Sequence, residues 1–144
     1  MLIVHSRGPH DTLAVGAAIG AQANPGDIVL LDGELGAGKT CLTQGVLGGL
    51  GSTDYVRSPT FVLIMEHAAR IPLYHADLYR LGPGSPLETV GLEEYLLGDG
   101  LTVVEWAERA PEAFPQERLQ IRIVSGEDRE TERTLTLAAF ASRH

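Results

Sequence analysis

The segment Gly33-Glu34-Leu35-Gly36-Ala37-Gly38-Lys39-Thr40 carries the clearest chemistry in the chain. Its order of types, G-x-x-x-x-G-K-T, is that of a loop that cradles phosphate. The glycines let the backbone close around an anion with its N–H groups turned inward. A helix beginning behind the loop adds the positive end of its dipole. Lys39 is a point charge suited to the β and γ phosphates of a nucleotide, and the Thr40 hydroxyl suits a Mg²⁺ ion bound with them. Such a pattern can arise by accident, but its context here is also right. An apolar run, 27–32 (DIVLLD), ends just before it, and a stripe of Leu42, Val46, Leu47 and Leu50 at helical spacing follows it. Cys41, directly after the loop, reads as a small packing residue at the head of a buried helix.

A phosphate loop of this kind also needs a carboxylate at the end of a neighbouring strand. Asp77 ends the apolar run IPLYHA and Glu105 ends LTVV. Strand ends beside the loop are where such groups converge in an α/β sheet. Glu105 is assigned to Mg²⁺ and Asp77 to the attacking water or the metal shell; spacing alone also allows the reverse. His75 lies two residues before Asp77 on the same strand face, where it either touches the site or packs as a structural histidine. Ser58 and Thr60, in Ser58-Pro59-Thr60-Phe61, are hydroxyls placed after the loop's helix. They suit a switch segment that senses a γ phosphate, or a plain extended turn set by Pro59.

These groups need a sheet to hold them. Residues 2–5 read as a short strand and 10–23 as a helix with Leu13, Ala17 and Gly20 on one face, capped by His10 or Asp11. The run 27–32 reads as a strand buried on both faces. Segments 60–67 and 71–77 read as paired strands, 87–97 as one or two short helices, and 101–105 as another buried strand. Residues 118–124 and 133–139 alternate, as a hairpin at the sheet edge would. The pattern predicts one α/β domain over 1–144, a three-layer P-loop NTPase-like fold around a central mixed β-sheet.

Composition sets further bounds. The chain has 144 residues and a formal net charge of −8. An acidic surface repels phosphate backbones, so free-standing RNA or DNA binding by this chain is disfavoured. One cysteine excludes an internal disulfide framework. No apolar run reaches the roughly 18 residues needed to cross a bilayer. The start lacks a secretory signal pattern, so the cytoplasm is expected. A guanine-specific N-K-x-D segment is absent, which counts against a GTPase. A small P-loop kinase would need an arginine-bearing lid, for which Arg109, Arg118, Arg122 and the 127–133 loop are the candidates. A nucleotide-dependent binding module differs only in whether turnover matters.

Four blocks together, GELGAGKT at 33–40, SPTF at 58–61, HADLYR at 75–80 and VEWAE at 104–108, resemble in order and spacing the TsaE family. That family is the small ATPase of bacterial threonylcarbamoyladenosine (t6A) tRNA modification. The pair Thr12 and Gly16, and an arginine before the last strand, Arg129 or Arg133, also fit. The resemblance implies ATP bound between the loop and the SPTF segment. The contacts implied are Thr12, Glu34, Leu35, Gly36, Ala37, Gly38, Lys39, Thr40, Cys41, Ser58, Thr60 and Arg133. It implies Mg²⁺ on Thr40 and Glu105, catalysis through Lys39, Asp77 and Glu105, and partner subunits TsaB and TsaD. Hydrolysis by the isolated chain is expected to be slow. No arginine stands in an evident finger position, Arg57 and Arg80 being the nearest.

Overall fold

The computed structural model describes residues 1–34, 37–56, 64–79, 94–96, 98–109, 114–126 and 132–140. Strand β1 (Leu2–Ser6) leads into helix α1 (Pro9–Gln22), strand β2 (Ile28–Gly33) and helix α2 (Lys39–Gly49). Strands β3 (Ile64–His67), β4 (Leu73–Asp77) and β5 (Leu101–Glu105) follow, then a 3₁₀ turn at Ala107–Arg109 and strands β6 (Arg118–Ser125) and β7 (Arg133–Phe140). The expected helix at 87–97 lies, apart from 94–96, outside the described residues, as do residues 60–63 of the expected third strand.

The strands form one seven-stranded sheet in the order β1-β7-β6-β2-β5-β4-β3. Its centre is parallel: β2 pairs with both β5 and β6, and β5 with β4. Its flanks are antiparallel, through β3 on one side and β7 and β1 on the other. The α/β class and the mixed sheet are therefore as expected. The β6–β7 hairpin is not at the edge, however, because β1 pairs with β7 and takes that position. The central strands are apolar in continuous runs because both their faces are covered. Residues 28–31 of β2 and all of β5 are buried.

Both helices lie on one face. Leu42, Val46, Leu47 and Leu50 of α2 join Val29, Leu31, Leu73, Val103, Ile121 and Leu135 of the sheet, with Val15 and Ile19 of α1 packed alongside. On the other face Ile28, Leu30, Ala76, Leu78, Val104 and Phe114 gather with Leu96, Trp106 and Ala107.

Helix α1 does not use the cap expected. Gly8 is its N-cap and Pro9 its first residue; Pro is preorganised for this position and gives up no hydrogen bond there. Asp11 instead sits in the first turn and accepts the Arg7 backbone N–H at 2.9 Å. The buried face is Thr12, Gly16 and Gly20. It meets Gly45 and Gly49 of α2 so closely that the two backbones touch: a Cβ on any of these four glycines would overlap a main-chain carbonyl of the facing helix. The result is a glycine-lined crossing that locks α1 to the helix behind the phosphate loop.

Candidate functional site

Parallel pairing puts the C-terminal ends of β2, β5 and β4 on the same edge, the place where α/β folds gather chemistry. Strand β2 delivers the loop, β5 delivers Glu105 and β4 delivers Asp77. The last two are register partners. Leu101, Val103 and Glu105 alternate onto the helix face of β5, and Leu73, His75 and Asp77 onto the same face of β4. Lys39 opens α2 directly above that face. Gly38, just before it, has φ 108°, a left-handed turn that a side chain would strain.

Lys39 is 7% exposed and its Nζ lies 3.6 Å from Glu105 Oε1. The opposite oxygen, Oε2, lies 2.5 Å from His75 Nε2. His75 is fully enclosed, and Glu105 is 7% exposed. Burial alone would push the Glu105 carboxyl up. The hydrogen bond and charge of His75, with Lys39 beside it, outweigh burial and hold it below its ordinary value. Lys39 Nζ also stands 5.0 Å from the Trp106 ring centroid, within cation–π range. Trp106 has φ 60°, an uncommon backbone region for a bulky residue, and its ring packs against Tyr79 at 4.9 Å between centroids. Asp77 is half-buried, and its Oδ1 accepts the Tyr79 backbone N–H at 3.0 Å, closing a turn at the strand end.

Arg133 reaches the loop from the start of β7, donating from Nε to the Ala37 carbonyl at 2.7 Å. Cys41 packs toward the Pro9 carbonyl; burial pushes its thiol up against the pull of Arg133, which fits a packing residue and not an activated thiolate. Thr12 is 2% exposed and its hydroxyl is engaged by Ser6 Oγ at 2.7 Å. Ser6 in turn donates to the Gly8 carbonyl, so the pair fastens the start of α1. The described contacts thus bring Lys39, Glu105, His75, Trp106 and Asp77 together and join Arg133 to the loop, but do not bring the Thr12 side chain to it. Leu35, Gly36, Ser58, Thr60, Arg57, Arg80 and Arg129 lie outside the described residues.

A cleft of about 390 Å³ opens beside Lys39, bounded by Glu34, Ala37, Trp106, Glu108 and Ser125. A larger hollow of about 790 Å³ lies under α1 among Val15, Ile19, Leu119 and Leu137, with the first residues of β2 and β5 on its wall. It sits at the opposite ends of the strands from Lys39, so volume does not choose the site; the convergence of charged groups does. Among the described residues no three His, Cys, Asp or Glu side chains form a metal cage. A Mg²⁺ ion does not need one, since it is commonly held by one or two protein oxygens together with phosphates and water. The buried Glu105 carboxylate, beside the cationic head of the loop, is an oxygen donor of that kind.

A phosphate-type loop between a buried parallel strand and a helix, with acids on the adjoining strand ends, defines a P-loop-like α/β protein. The comparisons narrow this further. The family described as "Threonylcarbamoyl adenosine biosynthesis protein TsaE" matches residues 6–135. The chain is 48% identical over 138 residues, 94% of its length and 84% of the relative's, to the tRNA threonylcarbamoyladenosine biosynthesis protein TsaE of Bacillus subtilis. It is 37% identical over 127 residues, 87% of its length and 94% of the relative's, to the protein of the same name from Treponema pallidum. It superposes on the crystal structure of B. subtilis YdiB with a TM-score of 0.83 and 41% identity, covering 97% of this chain and 86% of that one. The chain belongs to the TsaE family. Among the described residues no helix is long and apolar enough to cross a membrane.

Proposed function

We propose that this chain is the ATP-binding and ATP-hydrolysing subunit required for threonylcarbamoyladenosine modification of tRNA. It acts with TsaB and TsaD in the cytoplasm. The observation that carries the reading is the buried Lys39–Glu105 pair, with Asp77 in register beside it, at the mouth of the loop. Lys39 binds the β and γ phosphates, and the backbone of 34–41 surrounds them. Thr40 and Glu105 hold Mg²⁺, which neutralises charge on the phosphates when bound. Asp77 orients the water that takes the γ-phosphoryl group, and accepts its proton. Arg133 steadies the loop through the Ala37 carbonyl. The acidic net charge of −8 leaves tRNA to the partners.

The test is ATP hydrolysis by the purified chain, alone and with TsaB plus TsaD, beside Asp77→Ala and Glu105→Ala. Slow turnover alone, stimulation by the partners and loss in both variants is the expected result. ATP binding with no turnover in any mixture would instead make the chain a nucleotide-dependent binding module.

A further inference from the structure

Resting on the reading that Glu105 holds Mg²⁺ with Thr40, we propose that His75 is the positioning residue for Glu105. It fixes one carboxylate oxygen so that the other stays turned to the loop. A glutamate has three rotatable side-chain bonds, so a site built on one must be held from behind. Here the holder comes from the adjoining strand. His75 pairs in register with Val103, one side-chain step before Glu105 on the same face. Its Nε2 reaches Glu105 Oε2 at 2.5 Å, while Oε1 faces Lys39 Nζ at 3.6 Å. A carboxylate can only accept, so Nε2 is the donor.

The surroundings argue against a mere filler. The residue before it on that face of β4 is Leu73, and the register neighbour is Val103, both fully buried in the apolar cluster. An aliphatic side chain would suit that slot and carry no desolvation cost. His75 is instead wholly enclosed, and its Nδ1 has no hydrogen-bond partner among the described residues. Its polar contact is with Glu105. Strand β4 therefore serves the acid on β5 twice, with His75 behind it and Asp77 alongside. Groups that orient metal ligands in this way typically change metal affinity by about 10–100-fold when removed.

The test is calorimetric ATP affinity of the full chain, in EDTA and in saturating Mg²⁺. For His75→Leu we expect affinity in EDTA within about twofold of wild type, and affinity in Mg²⁺ weaker by about tenfold or more. His75→Gln, whose amide nitrogen falls near Nε2, restores the Mg²⁺ response; His75→Asn, whose amide falls near Nδ1, does not. These two variants carry the test if the leucine variant fails to fold. In a Glu105→Gln background, replacing His75 changes the Mg²⁺ response by less than about twofold, because its effect passes through Glu105. Equal losses with and without Mg²⁺, or an undiminished cost in the Glu105→Gln background, overturn the positioning role and leave a packing residue. A wild-type chain whose ATP affinity ignores Mg²⁺ overturns the magnesium reading, and this role with it. A wild type that responds while His75→Leu responds alike overturns this role only.

Discussion

Replacing Gly45 by alanine tests the α1–α2 crossing directly. On propensity alone the change stabilises a helix by about 1 kcal/mol. Sterically it cannot be accommodated in place. The added Cβ would overlap the Leu13 carbonyl oxygen, with the Leu13 carbonyl carbon and Cα each 3.0 Å away. Ordinary contact begins at about 3.5 Å, and the opposing atoms are backbone, so no side chain can swing aside. Helix α1 must lift. It is pinned by Arg70 Nη2 on the Gly20 and Ala23 carbonyls at 2.9 and 3.1 Å, and at its other end by Ser6 and Thr12. Overpacking of this kind costs about 1–3 kcal/mol, and lifting the helix also loosens the neighbouring glycine contacts. The steric cost offsets or exceeds the propensity gain, leaving a net destabilisation of up to about 2 kcal/mol, or up to roughly 8 °C in Tm, where the propensity gain by itself would have stabilised. Gly48 supplies the control. It lies in the same helix, and a Cβ there meets nothing within 4 Å. Gly48→Ala should therefore raise stability by about 0.5 kcal/mol, given its position near the helix end. Urea unfolding followed by far-ultraviolet circular dichroism resolves the two. If Gly45→Ala proves as stable as Gly48→Ala, the backbone-to-backbone crossing is not the contact described.

Three further outcomes are expected. Arg133→Ala removes the Nε bond to the Ala37 carbonyl; stability falls by about 1–2 kcal/mol by chemical denaturation, and ATP affinity measured by calorimetry falls with it. The Tyr74 phenol donates to Asp99 Oδ1 at 2.6 Å, and this hydrogen bond first, then burial, pushes its pKa up to about 12. Because the folded value is raised, that contribution to stability is whole below the ordinary value of 10.0 and disappears as pH rises through about 12. Ultraviolet titration should reveal a late-titrating tyrosine, absent in Tyr74→Phe and moved downward in Asp99→Asn, where burial still holds it above 10.0. Glu105 behaves oppositely. Its lowered carboxyl contributes stability that is whole above 4.5 and lost as pH falls through the depressed value. Between about pH 5 and pH 2, the stability of Glu105→Gln should lack that part of the acid slope seen in the parent chain.

The centre of the fold was readable because its signals are local. The apolar run into GELGAGKT and the helical stripe behind it set β2, the loop and α2 within a short stretch. The acids at 77 and 105 were readable as strand ends for the same reason. What escaped depends on which strand lies beside which. The bond from His75 to Glu105 follows from a parallel pairing between distant segments, and the two-residue alternation left the histidine's role open. Arg133 meets Ala37 across a separation of 96 residues, so only the resemblance marked it as a site residue. The cap of α1 was misassigned because acidic residues lead at N-caps, whereas Gly8 with Pro9 answers the same need through backbone geometry. The glycine crossing was half visible: Gly20 lies on the expected face, but apolar periodicity does not register Gly16, whose value lies in having no side chain.

The sheet order also bears on how the chain is made. Strand β2 carries the phosphate loop, yet its two neighbours come late: Ile28 pairs with Thr102, and Val29 with Leu119. At about 5–20 residues per second, a ribosome needs several seconds to deliver the second of them. Through that interval this strongly apolar strand has both hydrogen-bonding edges open and can associate with other nascent chains. Newly made chains, more than finished ones, are therefore the form that should depend on chaperones. Slowing translation between β2 and β6 should lower soluble yield without changing the stability of the protein that does fold.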